Sequence, residues 1–156
     1  MKAASVKEIK TELKELSQDE IINLCLRLSR FKKENKELLT YLLFESHHED
    51  EFVTEIKSEI DEYFEAINLS SAYYVKKSIR KILRLIKKYI RYSDVKETEV
   101  ELLLYFCKKT TSLPYQMRMN RIVQNIKNRE INTIQKKILL LHEDLQYDYQ
   151  LELEDL

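Results

Sequence analysis

The chain has 156 residues, with 27 Lys plus Arg balanced by 27 Asp plus Glu, three His, two Cys, one Pro and no Gly. An average chain of this length carries about eleven glycines. Without glycine's freedom at positive φ there is no P-loop, no Gly-rich dinucleotide turn, no nucleophile elbow and no EF-hand loop, and multi-stranded β architectures lose their turns. An all-α protein remains.

Ser5 with Glu8, Ser17 with Glu20, Ser46 with Glu49, and Asp94 with Glu97 have the spacing of capping boxes, in which the two residues satisfy each other's backbone donors at a helix start. The first helix is expected to run to about Leu16 on a stripe of Val6, Ile9, Leu13 and Leu16. The second spans Gln18 to about Phe31 with Ile21, Ile22, Leu24, Cys25 and Leu28 inward. Lys32-Lys33-Glu34-Asn35 reads as a polar break before a third helix that turns Leu38, Leu39, Leu42 and Leu43 inward.

The fourth helix, about Asp50 to Ile67, gathers Phe52, Val53, Ile56, Ile60, Tyr63, Phe64 and Ile67 into an arc of roughly 120°. The fifth runs from about Ala72 to Tyr92 on Val75, Ile79, Ile82, Leu83, Ile86, Tyr89 and Ile90, and the sixth ends near Thr110 with Val100, Leu103 and Phe106 inward. Leu113-Pro114 is the one strong break, because proline disfavours helix before it and suits a first helical turn. Beyond it a helical pattern extends to about Tyr149, but its stripe drifts and Glu130 and Lys137 lie near its seam, so a break or kink is expected near Asn128.

Charge is segregated along the chain. Residues 49–65 sum to −7 and residues 66–93 to +8. The fifth helix carries Lys76, Lys77, Arg80, Lys81, Arg84, Lys87, Lys88 and Arg91 and no acid, all within an arc of roughly 140° opposite its apolar stripe. This basic face is the candidate binding surface. The bland alternative is that it pairs with Glu49, Asp50, Glu51, Glu55, Glu59, Asp61, Glu62 and Glu65 of the fourth helix, at under about 1 kcal/mol per rim pair.

No motif for catalysis stands out. His47-His48-Glu49-Asp50 and the Glu45-x-x-His48 spacing are the best metal candidates, but di-iron bundles need two such motifs and only one occurs. No metal, cofactor or catalytic residue is therefore expected, and His142 reads as a surface or rim side chain. Ten tyrosines and no tryptophan suit core rims or an interaction surface. Cys25 and Cys107 fall among apolar neighbours and read as buried, reduced thiols. Six acids and no base lie between Glu143 and Leu156, either the end of a docked helix or a frayed acidic terminus. No stretch has the roughly twenty apolar residues of a membrane span, nor does the start have the apolar run of a secretory signal, so a cytoplasmic protein that avoids membranes is expected.

Three stretches carry a resemblance: Leu24-Cys25-Leu26-Arg27-Leu28-Ser29-Arg30-Phe31-Lys32-Lys33-Glu34-Asn35-Lys36-Glu37-Leu38-Leu39, then Arg80-Lys81-Ile82-Leu83 through Ile90-Arg91-Tyr92, and Leu141 through Tyr149. They resemble a small, uncharacterised family of all-helical bacterial proteins with no assigned activity. The resemblance implies a stand-alone cytoplasmic protein and brings no catalytic or binding residues with it.

The expectation is one domain over 1–156, of six to eight helices in antiparallel pairs forming a bundle or short superhelical stack. The functional expectation is a non-enzymatic protein-interaction module with a protein partner, working through its charged helix face or a groove. The alternative is a nucleic-acid-associated protein that grips phosphates through residues 76–91.

Overall fold

The computed structural model describes residues 2–156, all of them helix, turn or coil with no strand. In chain order the helices are α1 (Val6–Lys14), α2 (Gln18–Phe31), α3 (Lys33–Thr40), a π-helical turn (Tyr41–Glu45), α4 (Glu49–Glu65), α5 (Ala72–Ser93), α6 (Lys96–Thr111), α7 (Tyr115–Arg118), α8 (Arg121–Ile138) and α9 (Glu143–Glu154). Nine α-helices among the described residues exceed the expected six to eight, because the pattern beyond Pro114 is divided into three. The contacts gather into two compact units, one ending at Phe44 and the other spanning Glu45–Leu156.

In the first unit α1 and α2 open on the two expected capping boxes. Ser5 Oγ accepts from Glu8 N while Glu8 Oε2 accepts from Ser5 N, and Ser17 and Glu20 repeat the arrangement. Both carboxyls are held below the ordinary glutamate range by those serines. The polar break before α3 shrinks to Lys32, the only extended residue there, because Asn35 Nδ2 donates to Leu28 O and ties the start of α3 to the end of α2. No residue of α1, α2 or α3 is buried. The stripes expected to face inward stay open: Val6, Ile9, Leu13, Ile21, Ile22, Leu24 and Leu28 are all exposed. Three short helices cannot enclose an interior of their own.

The second unit is built around α6. Val100, Leu102, Leu103, Leu104, Phe106 and Cys107 are all buried, so its apolar face spans an arc of roughly 200°, wider than the single stripe that Val100, Leu103 and Phe106 suggested, and Glu101, Tyr105 and Lys108 occupy the opposite side. So wide an apolar face needs neighbours on several sides, and α6 is packed by α4, α5, α8 and α9. From α4 come Phe52, Val53, Ile56 and Ile60, and from α5 Val75, Ile79, Ile82, Leu83 and Ile86. Each such side chain contributes about 1.5–3 kcal/mol on burial.

Two expected caps differ. Glu49 opens α4 behind His48, and its carboxylate reaches across to accept from Ser93 and from Thr98 Oγ1 at 2.5 Å, joining the start of α4 to the α5–α6 junction. Asp94 closes α5 in the left-handed region, φ 55°, and Val95 takes the N-cap of α6. That is the conformation glycine commonly supplies at a helix end, and aspartate is among the few side chains that tolerate it.

The break expected near Asn128 is absent; α8 is continuous from Arg121 to Ile138. The stripe drifts because the seam buries a charge. Glu130 is 0% exposed, with Arg129 Nε donating to its Oε1 at 3.0 Å and Lys87 Nζ of α5 standing 2.8 Å from its Oε2. Lys137 is likewise tied, to Glu99 of α6 at 2.6 Å. The interruption comes later, between Ile138 and Glu143, where the His142 ring accepts from Asp144 N and caps α9. The acidic end is a helix packed on α8 and α6: Tyr149 is buried and donates to Glu97, and Glu152 pairs with Lys108 at 2.8 Å.

Candidate interaction surface

α5 presents its cations as the wheel requires, since its opposite side supplies the core. Lys77, Arg80, Lys81, Arg84, Lys87 and Arg91 are exposed, and Lys76 and Lys88 half-buried. The acids of α4 do not neutralise them as a row. Two ion pairs of α4 run to α6: Lys57 Nζ is 2.5 Å from Glu101 and Lys109 Nζ is 2.7 Å from Asp61. Burial pushes the Asp61 carboxyl up, but the Lys109 ammonium and the Tyr105 hydroxyl, which donates to it at 2.7 Å, outweigh that and hold it below the usual aspartate range. Lys109 is raised by the same partnership.

Three of the eight cations have specific neighbours. Lys87 faces Glu130, Lys81 lies 4.7 Å from the centre of the Tyr63 ring of α4, and Lys88 lies 4.5 Å from that of Tyr89. Tyr89 in turn donates to Glu59 at 2.7 Å, so at this seam a tyrosine stands between the acidic helix and the basic one. Among the described residues, Lys76, Lys77, Arg80, Arg84 and Arg91 make no ion pair, and neither do Asp50, Glu51, Glu55, Glu62 and Glu65. Two unneutralised rows of opposite sign therefore stand on neighbouring helices of one unit.

A second feature lies in the first unit. Cys25, Leu28 and Ser29 of α2 with Asn35, Leu38 and Leu39 of α3 and Leu42 line an apolar groove of about 280 Å³. Nothing in the sequence pattern distinguished it, because a stripe that lines a groove and a stripe that fills a core have the same period. The two cysteines part company here: both are free, but Cys25 is half-buried in the groove wall, whereas Cys107 is buried in the centre of the second unit, where burial raises its thiol to about 12.

The remaining candidates are dispersed. His47 and His48 are exposed, and His142 serves as a cap. Among the described residues no three His, Cys, Asp or Glu side chains stand together as a metal site. None of the described helices is long and apolar enough to cross a membrane. No family model, curated protein or solved structure matches the chain.

Proposed function

We propose that the protein is a non-enzymatic protein-interaction module that holds an acidic partner on the basic face of α5. The observation that carries this reading is the row Lys77, Arg80, Arg84 and Arg91, exposed and without ion pairs beside a helix rich in carboxylates. A single-sign face raises the local concentration of oppositely charged partners and speeds their docking. Arginine adds planar, forked donors suited to carboxylates, and the tyrosines along the same seam supply ring surface beside them.

The test is capture from a lysate of the cells that make the protein, with the wild-type chain and the double reversal Arg80→Glu with Arg84→Glu as baits. A partner retained by the wild type, released by about 0.5 M salt and absent from the variant is the expected result. Retention undiminished by the reversal rejects the face. The second reading, phosphate binding through residues 76–91, draws on the same acid-free row. It predicts a shift of random duplex DNA at low salt that falls steeply as salt rises, and no shift at low salt rejects it.

A further inference from the structure

The partner chemistry can be narrowed, on the premise that the α5 face is a docking surface. On α4 the exposed acids Glu51, Glu55, Glu62 and Glu65 recur at intervals of three and four residues, with Ser58 filling the one missing step. They fall within an arc of roughly 80° on the helix. On α5 the exposed cations Lys77, Arg80, Lys81, Arg84, Lys87 and Arg91 recur at the same intervals. Each row extends about 21 Å along its helix. The two rows match in length and spacing and are opposite in sign, yet no ion pair joins them within the chain.

We propose that the occupant of the basic face is a second copy of this chain, its α4 carboxylate row laid against the α5 cations of the first. With the two helices antiparallel the steps coincide: Glu51 meets Arg91, Glu62 meets Arg80 and Lys81, and Glu65 meets Lys77, while Glu55 comes opposite Lys87, which already holds Glu130, and Arg84 lies opposite Ser58. Because α4 and α5 are neighbours in the same unit, a two-fold axis forms both sets of contacts at once and closes the assembly at a dimer.

The same neighbourhood disfavours nucleic acid. Packed helices lie about 8–10 Å apart, which is close to the Debye length of about 8 Å at physiological salt. Phosphates on α5 would therefore feel the carboxylates of α4, whereas a second copy brings the complementary sign to both rows. Such a dimer rests on exposed ion pairs, so it is weak and sensitive to salt.

The experiment is sedimentation velocity of the full chain at about 50 and 300 mM salt, with two variants that reverse one row each. One is Arg80→Glu with Arg84→Glu, the other Glu55→Lys with Glu62→Lys, and circular dichroism confirms that both fold. The wild type is expected to dimerise at low salt and to weaken about tenfold at the higher salt. Each variant alone, now with like charges on both rows, is expected to be monomeric. An equimolar mixture of the two restores opposite signs at both contacts and is expected to recover the dimer.

A wild type that stays monomeric at low salt overturns the inference. So does self-association that survives either reversal, or a mixture that fails to recover it. A monomeric wild type that still captures a protein lost on Arg80→Glu with Arg84→Glu leaves the proposed function standing and removes only the second copy. A monomeric wild type that shifts duplex DNA assigns the face to phosphate.

Discussion

α4 and α5 are adjacent, both amphipathic and similarly charged in number, but their charges have different fates. On α4 the acids at its edges are built into the fold: Glu49 joins Ser93 to Thr98, Glu59 accepts from Tyr89, and Asp61 holds Tyr105 and Lys109. On α5 Lys87 is committed in that way to a buried acid, Glu130, whereas among the described residues Lys77, Arg80, Arg84 and Arg91 make no ion pair. The difference teaches that charge segregation in sequence does not predict which charges pair. Pairing follows the edges of a helix that face its neighbours, and the outward centre of each row stays in water.

That contrast can be broken by substitution, beginning with the largest effect. Lys87→Ala leaves Glu130 buried with only Arg129 beside it and is expected to cost about 3 kcal/mol. Arg84→Ala, on the same helix, should alter stability by less than about 0.5 kcal/mol. Urea unfolding of both variants measures the gap, and equal effects would erase the distinction between committed and open cations.

Glu49→Gln is next. It weakens two hydrogen bonds to a charged acceptor and is expected to cost about 2 kcal/mol, whereas Glu51→Gln, two residues on and exposed, should fall within about 0.5 kcal/mol. Thermal unfolding of the pair separates the two classes of acid on α4.

Asp61→Asn is smaller, under about 1 kcal/mol, because the carboxyl is partly exposed. Its signature is the pH dependence. The folded carboxyl is held below its ordinary value, so its contribution is present above the unfolded aspartate pKa of about 3.9 and is lost as pH falls through the folded value. The stability difference between wild type and Asp61→Asn should therefore be constant near neutrality and shrink below about pH 4. A difference that persists at pH 2 would mean that packing, and not the ion pair, is what Asp61 supplies.

Much of this architecture was legible in the chain itself. The apolar stripes of α4 and α5, the basic face and the proline break all follow from local period and chemistry. What was not legible depends on contacts distant in sequence. Glu49 has the spacing of a cap for Ser46, but its oxygens go to residues more than forty positions away. Glu130 looked like a flaw in a helix because its compensation, Lys87, sits on another helix. The stripes of α1 and α2 looked like core, and they remain exposed because periodicity reports an apolar face and not what covers it. The missing glycine reads differently as well: Asp94 takes the one left-handed position among the described residues.

The central claim is that the outward cations of α5 face water and not the carboxylates of α4. The most direct measurement is the unfolding free energy of Arg80→Ala with Arg84→Ala against wild type, by urea denaturation near neutral pH. Two open cations predict a change of about 0.5 kcal/mol or less. A loss of about 2 kcal/mol or more would show that the row is a structural partner of α4, and would contradict the account.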